Sequence, residues 1–71
     1  MFDLKHYKEY KERLENKLEQ ISNIDEKLAY VEQQLFYVEV DDCWDDKDRA
    51  EHCVLIEKKR ELITLKNKEE Q

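Results

Sequence analysis

The side chains best suited to metal binding or nucleophilic attack are Cys43, His52 and Cys53. Thiolate and imidazole groups bind zinc, but structural zinc sites usually include a close Cys-x-x-Cys pair, which this chain lacks. A catalytic cysteine that works with a histidine also needs an orienting group and an oxyanion hole, usually on well-positioned loops. The chain has no glycine from which such a loop is commonly built. The sequence therefore predicts no metal site, no cofactor and no enzyme.

The strongest local concentration of charge lies between residues 41 and 51. Six carboxylates and two bases give this segment a net charge of −4, against −6 for the whole chain. Such a segment either docks on a basic protein surface or forms a solvated connection between helices, and both interpretations stay open. The acidic residues that we expect to contact a partner are Asp41, Asp42, Asp45, Asp46 and Asp48.

Three aromatic residues recur every seven positions, at Tyr30, Tyr37 and Trp44, with Phe36 beside the second of them. Residues seven apart share one side of a helix, so this spacing predicts an aromatic stripe. Tyrosine and tryptophan frequently dominate the binding energy of protein interfaces. The stripe either packs against another helix of a homo-oligomer or recognises a different protein. It is the second candidate partner-binding surface, after the acidic segment.

The apolar residues of the first half of the chain follow a heptad repeat. With Tyr7 at position a, nine of the first ten a and d positions are apolar or aromatic, and Lys17 is the exception. This pattern predicts one long helix over about residues 3–40. Asp3 is the expected N-cap of that helix, and Phe2 and Tyr7 occupy the two positions of a hydrophobic staple.

Four aspartates in the segment that follows predict a break, because aspartate is a poor residue for the helix interior and like charges repel. The same residues are favourable at the beginning of a helix. We therefore expect a second helix over about residues 46–68, with Asp45 as its N-cap and Asp48 completing a weak capping box. The polar residues 66–71 are expected to fray, within a single helical domain that spans residues 1–71.

The architecture that these lengths favour is an all-α antiparallel hairpin that dimerises into a four-helix bundle. At 1.5 Å per residue, the first helix is about 57 Å long and the second about 35 Å, so part of the first stays uncovered. The second helix is also apolar on several sides, which one neighbouring helix cannot cover. A second copy of the chain would cover both surfaces. The expected dimer contacts are Leu4, Tyr7, Tyr10, Leu14, Ile21, Leu28, Val31 and Leu35.

A second architecture stays open, because Ser22-Asn23-Ile24-Asp25 also matches a capping box. A new helix that starts at Asn23 gives three helices of similar length, which can form a monomeric three-helix bundle. The heptad phase runs from residue 21 to residue 28 without a slip, and this continuity favours the unbroken helix.

Composition and charge narrow the possible functions. A net charge of −6 and a pI of about 4.9 oppose direct binding to nucleic acid. No apolar run is longer than four residues, as in Cys53–Ile56, and such a run is too short to cross a membrane. The polar N-terminus does not match a signal peptide, so we expect a cytoplasmic protein with free thiols.

These observations predict a small, acidic, non-enzymatic helical protein that binds another protein and modulates it, as an inhibitor or an adaptor. The partner is not identified by the sequence. One alternative is an acidic decoy, such as a phage or plasmid product, that mimics DNA and blocks a nucleic-acid-binding enzyme. Another alternative is a purely structural protein whose role is self-association.

Overall fold

The computed structural model describes residues 3–69 of the 71-residue chain. Within this range the chain forms three α-helices and no β-strand. They are α1 (Leu4–Glu19), α2 (Ile24–Glu39) and α3 (Asp46–Glu69). The prediction of an all-helical fold is therefore confirmed for the described residues.

The first forty residues form two helices, so the prediction of one continuous helix over residues 3–40 is wrong. α1 ends at Glu19, and α2 begins at Ile24 after an interval of four residues. Asn23 has an extended backbone, and its side-chain oxygen accepts a hydrogen bond of 2.8 Å from the backbone N–H two residues later. The three-helix alternative, with its break near Ser22 and Asn23, is the arrangement that the chain adopts.

The continuous heptad phase has a simple explanation in this turn. The interval of four residues between α1 and α2 is close to the 3.6 residues of one helical turn, so the apolar residues on both sides stay in phase. Ile21 and Ile24 border the turn, and both pack against the same core as the helices. The heptad pattern correctly marks which side chains face the core, but it does not report that the backbone reverses.

The helix starts follow the predicted capping chemistry. Asp3 caps α1 by accepting a hydrogen bond of 3.0 Å from the backbone N–H of His6. At the start of α3, Asp45 Oδ1 accepts from the N–H of Asp48 at 2.8 Å, and Asp48 Oδ2 accepts from the N–H of Asp45 at 3.3 Å. This reciprocal pair confirms the capping box. The predicted staple includes Phe2, which lies outside the described residues.

The end of α3 lies slightly beyond its predicted position. Residues 66–71 were expected to fray, but α3 continues through Glu69, while residues 70 and 71 lie outside the described range. Lys66 and Lys68 occupy the last turn, where cations interact favourably with the helix dipole. Lys66 Nζ also lies 2.7 Å from Asp25 Oδ1, so this end of α3 is tied to the first turn of α2.

α3 is the central element, because both other helices pack on it and only weakly on each other. Side-chain contacts along α3 show that α1 runs parallel to it and that α2 runs antiparallel, which gives an up-down-up bundle. The contacts with α1 are His6–Glu51 and Glu15–Lys58, and those with α2 are Asp25–Lys66, Glu32–Lys59 and Glu39–His52.

The core lies along α3. Val54 and Leu55 are adjacent and both fully buried, so α3 buries more than one side of its circumference. The sides of α3 that carry Val54 and Leu55 are therefore covered by α1 and α2 of the same chain, whereas Ile63 and Leu65 remain 40% and 44% exposed. The buried cluster consists of Leu14, Leu18, Val31, Leu35, Val54, Leu55 and Leu62.

The predicted dimer contacts need correction. Leu14, Val31 and Leu35 are at most 4% exposed inside one chain, so these three side chains have no surface to offer a second copy. The remaining predicted positions differ: Leu4 is exposed, while Tyr7, Tyr10, Ile21 and Leu28 pack at the edge of the core. The four-helix dimer of two hairpins also required the long first helix, which the chain does not form. Self-association in another form stays a prediction.

Candidate protein-binding surface

α2 carries apolar side chains on two opposite sides. Val31 and Leu35 point into the core and are almost fully buried. Phe36, Tyr37 and Val40 are 61%, 56% and 58% exposed. At 3.6 residues per turn, Phe36 and Val40 lie about 140° and 180° around the helix from Val31. These large side chains therefore face solvent because of their position on the helix, although their types would suit a core.

The exposed residues of α2 form a second seam. Ala29, Gln33, Phe36 and Val40 are all exposed and are separated by four, three and four residues, which is the spacing of a helix–helix contact. Tyr37 widens this seam, and its hydroxyl accepts a hydrogen bond of 3.3 Å from Gln33 Nε2. We call these five residues the outer face of α2. None of them is charged, which is unusual in a chain with 45% charged residues.

A shallow groove lies beside Phe36, between α2 and α3. It has a volume of about 330 Å³ and is lined by Glu32, Leu35, Phe36, Glu39 and Lys59. Lys59 Nζ lies 3.9 Å from the Glu32 carboxylate, and both carboxylates of the groove remain more than half exposed. The groove has room for a side chain of a bound partner, and its lining combines two apolar residues with two carboxylates and one lysine.

The acidic connection between α2 and α3 adjoins the C-terminal end of the outer face. Asp41, Asp42, Asp45 and Asp46 are exposed, and Asp48 is half-buried. Asp41 Oδ1 accepts a hydrogen bond of 3.3 Å from the N–H two residues later. The N–H of Asp48, followed by that of Lys47, holds the pKa of Asp45 below its ordinary value. Part of this acidity is therefore used to shape the connection, and the remaining carboxylates face solvent.

The predicted aromatic stripe does not form one continuous surface. Tyr37 is exposed, but Tyr30 is half-buried and packs against the core. Trp44 lies beyond the end of α2, where its indole Nε1 donates a hydrogen bond of 2.8 Å to the carbonyl of Val38. The Trp44 ring also lies against His52, with 4.7 Å between ring centroids. Trp44 therefore packs the connection against the bundle. The seven-residue spacing includes Trp44, although this residue lies outside α2.

Tyr30 belongs to a different cluster, between α1 and α2. It lines a groove of about 200 Å³ together with Tyr10, Arg13, Leu14 and Gln34. Burial, and then the nearby carboxylate of Glu51, raise the pKa of Tyr10 to about 12. This cluster is part of the packing between helices, and it is separate from the outer face of α2.

The outer face includes residues that the sequence interpretation missed. The aromatic spacing points to Phe36 only as a neighbour of Tyr37, and neither that spacing nor the heptad repeat includes Ala29, Gln33 or Val40. The signal was present as four uncharged residues at four-three-four spacing, out of phase with the main heptad repeat. It becomes meaningful once α2 is known to be a separate helix with α3 covering its other side.

The remaining candidate features are the two cysteines, groups of possible metal ligands and helices that could cross a membrane. Cys43 and Cys53 are both free and exposed. Within residues 3–69, no group of three or more histidine, cysteine, aspartate or glutamate side chains is arranged to hold a metal ion. In the same part of the chain, no helix combines the length and the apolar character that a membrane crossing requires.

The comparisons with known proteins return no match: no protein-family model, no curated protein and no solved structure resembles this chain. The function is therefore inferred from the chain's own residues. Of the surfaces described, the outer face of α2 is the one that combines exposed aromatic and aliphatic side chains, a groove and adjoining carboxylates.

Proposed function

We propose that this protein acts by binding another protein, and that the outer face of α2 is its contact surface. The observation that carries the proposal is the exposure of Phe36, Tyr37 and Val40 on one side of a helix whose other side is buried. Exposed apolar groups of this kind, bordered by polar residues, are typical of interaction surfaces. Aromatic residues are enriched at such surfaces because they bury a large area with few rotatable bonds.

The acidic connection supports the same proposal through electrostatics. Its carboxylates lie directly after the outer face, within a chain of net charge −6. Charge of one sign around an apolar contact raises the association rate with an oppositely charged protein and disfavours partners of like charge. The protein that binds here therefore carries basic residues around an apolar centre.

Site-specific photo-cross-linking in cells of the source organism tests this proposal. A benzophenone amino acid is placed at Tyr37 in the outer face or, as a positional control, at the exposed Arg60 of α3. We expect discrete protein adducts from position 37 that disappear in the double variant Phe36→Ser/Val40→Ser. Adducts of the same mass and yield from both positions, or adducts that survive the double variant, would contradict the proposal.

A matched control separates loss of the surface from loss of the fold. Ile63 is 40% exposed on α3 and is also a large aliphatic residue, so Ile63→Ser removes a comparable apolar side chain elsewhere. We expect this variant to keep the position 37 adducts. Far-UV circular dichroism of all variants checks that helical content is equal.

The acidic decoy is a second candidate, favoured by the exposed carboxylates of Asp41, Asp42 and Asp46. Binding that depends on these charges weakens steeply with salt, because exposed charges are screened beyond about 8–10 Å at physiological ionic strength. The double variant Asp41→Asn/Asp42→Asn should then abolish binding, while Phe36→Ser/Val40→Ser leaves it intact. This pattern is the reverse of the one expected for the outer face.

A further inference from the structure

We infer that the outer face of α2 binds a basic amphipathic helix of its partner, and that this helix runs antiparallel to α2. The inference rests on the proposed function and adds the chemistry and the direction of the bound element. Three observations support it. They are the spacing of the seam residues, the position of the neighbouring charges, and the like charges that a second copy would bring together.

The spacing of the outer face fits a helix. From Ala29 to Val40 the seam spans eleven steps, which is about 17 Å or three helical turns. Rows of side chains at four-three-four spacing receive the corresponding row of another helix, with Phe36 and Val40 as the large residues. The groove beside Phe36 gives one side chain of the bound helix a place outside the seam.

The charges beside the seam are mainly acidic on one flank, where Lys59 contacts Glu32, and they are acidic at one end. Glu32 and Glu39 lie on the flank that faces α3, and each side chain is 56% exposed. Asp41 and Asp42 follow the C-terminal end of the seam and are also exposed. A helix with lysine or arginine on the facing flank complements these carboxylates.

A second copy of the chain does not fit these charges. In an antiparallel two-fold pair the same flank of both copies meets, so the Glu32 and Glu39 carboxylates of one copy lie along those of the other, with Glu32 towards Glu39. In a parallel pair the two acidic ends come together, so the Asp41 and Asp42 carboxylates of both copies are adjacent. Each geometry places like charges side by side between two chains of net charge −6.

The direction of the bound helix follows from the same acidic end. The N-terminus of a helix carries a partial positive charge and favours nearby anions. An antiparallel helix places this N-terminus beside Asp41 and Asp42, and it also opposes the dipole of α2. A parallel helix would place its negative C-terminus against the same carboxylates.

A pair of designed peptides tests the chemistry. Both are fluorescein-labelled monomeric helices of eighteen residues with leucine at a and d positions, and their flanking residues are lysine in one and glutamate in the other. By fluorescence anisotropy in 50 mM salt, we expect the lysine peptide to bind at least ten times more tightly. We expect Phe36→Ser/Val40→Ser to weaken its binding at least tenfold, and Ile63→Ser to leave it within twofold. Equal affinity for both peptides, or binding that is unaffected by the double variant, would overturn the inference.

The direction is tested with a spin label. Cys43 lies in the acidic connection and is exposed, so a nitroxide can be attached there in the Cys53→Ser background. We expect the label to broaden NMR signals of the N-terminal half of the lysine peptide more than those of its C-terminal half. Stronger broadening of the C-terminal half would show a parallel helix and contradict the assigned direction.

Sedimentation equilibrium and the cross-linking experiment separate the possible failures. A concentration-dependent dimer that the double variant abolishes would place a second copy on this face and overturn the inference. If the position 37 adducts depend on Phe36 and Val40 but the lysine peptide has no advantage, the proposed function stands and only the helix inference fails. If the adducts do not depend on these residues, both fail.

Discussion

The inner and outer faces of α2 are built from similar residue types but have different surroundings. Val31 and Leu35 on the inner face are enclosed by the bundle, whereas Phe36 and Val40 on the outer face are more than half exposed. The same sixteen-residue helix thus presents two apolar sides, of which the fold covers one. The difference shows that burial here is decided by the position of α3, which leaves the other side of α2 exposed.

The sharpest test of this comparison uses two adjacent residues. Leu35→Ala should lower the free energy of unfolding by about 2–5 kcal/mol, because the substitution leaves a cavity in the core. Phe36→Ala should change the free energy of unfolding by only about 0.5 kcal/mol or less, as is usual at exposed positions. Urea unfolding followed by circular dichroism measures both. Similar losses for the two variants would mean that the outer face is packed in solution and is not a free surface.

The N-cap of α2 stabilises the helix that carries both the inner and the outer face. Asn23→Ala removes the side-chain acceptor that caps α2, and it should lower the free energy of unfolding by about 1 kcal/mol. Asn23→Asp keeps an acceptor at the same position and serves as the matched control. A variant with alanine that is as stable as wild type would indicate that α1 and α2 join into a longer helix in solution.

The end of α2 depends on Trp44. Trp44→Phe keeps an aromatic ring near His52 but removes the hydrogen bond to the Val38 carbonyl, which should cost about 0.5–1.5 kcal/mol of stability. Because Trp44 belongs to packing in this interpretation, the variant should still bind the lysine peptide within about twofold of wild type. A loss of peptide binding without a loss of stability would assign Trp44 to the binding surface instead.

The smallest expected effect concerns the cap of α3. Hydrogen bonds from backbone N–H groups hold the pKa of Asp45 below its ordinary value of 3.8. A lowered carboxylate pKa contributes stability above the unfolded-state pKa, and this contribution is lost as the pH falls through the folded-state value. Asp45→Asn removes the titrating group, so the advantage of wild type at pH 7 should shrink towards pH 2. An advantage that is constant with pH would show that the ionised form of Asp45 is not favoured by folding.

The sequence was informative where a local rule determines the outcome. Asp3, Asp45 and Asp48 were predicted to cap helices, and each does so through a short-range hydrogen bond between neighbouring residues. The start of α3 was predicted at about residue 46 for the same reason, and it begins at Asp46. These features depend on few residues and little on the rest of the fold.

The sequence was misleading where two structures share one pattern. A straight helix and a reversal of four residues preserve the same heptad phase, and only the packing of α1 and α2 on α3 decides between them. The candidate site depended on this decision. The predicted aromatic stripe includes Trp44, which lies beyond the end of α2 at Glu39, and it does not include Val40, which belongs to the outer face.

The central position of α3 has a consequence for synthesis on the ribosome. α1 and α2 pack only weakly on each other and precede α3 along the chain, so most of their core-facing side chains lack their main partner until α3 is synthesised. Val54, Leu55 and Leu62, which close the bundle, are translated after both of these helices. We therefore expect α1 and α2 to stay undocked on the ribosome until α3 emerges, and the bundle to form in one step at that point.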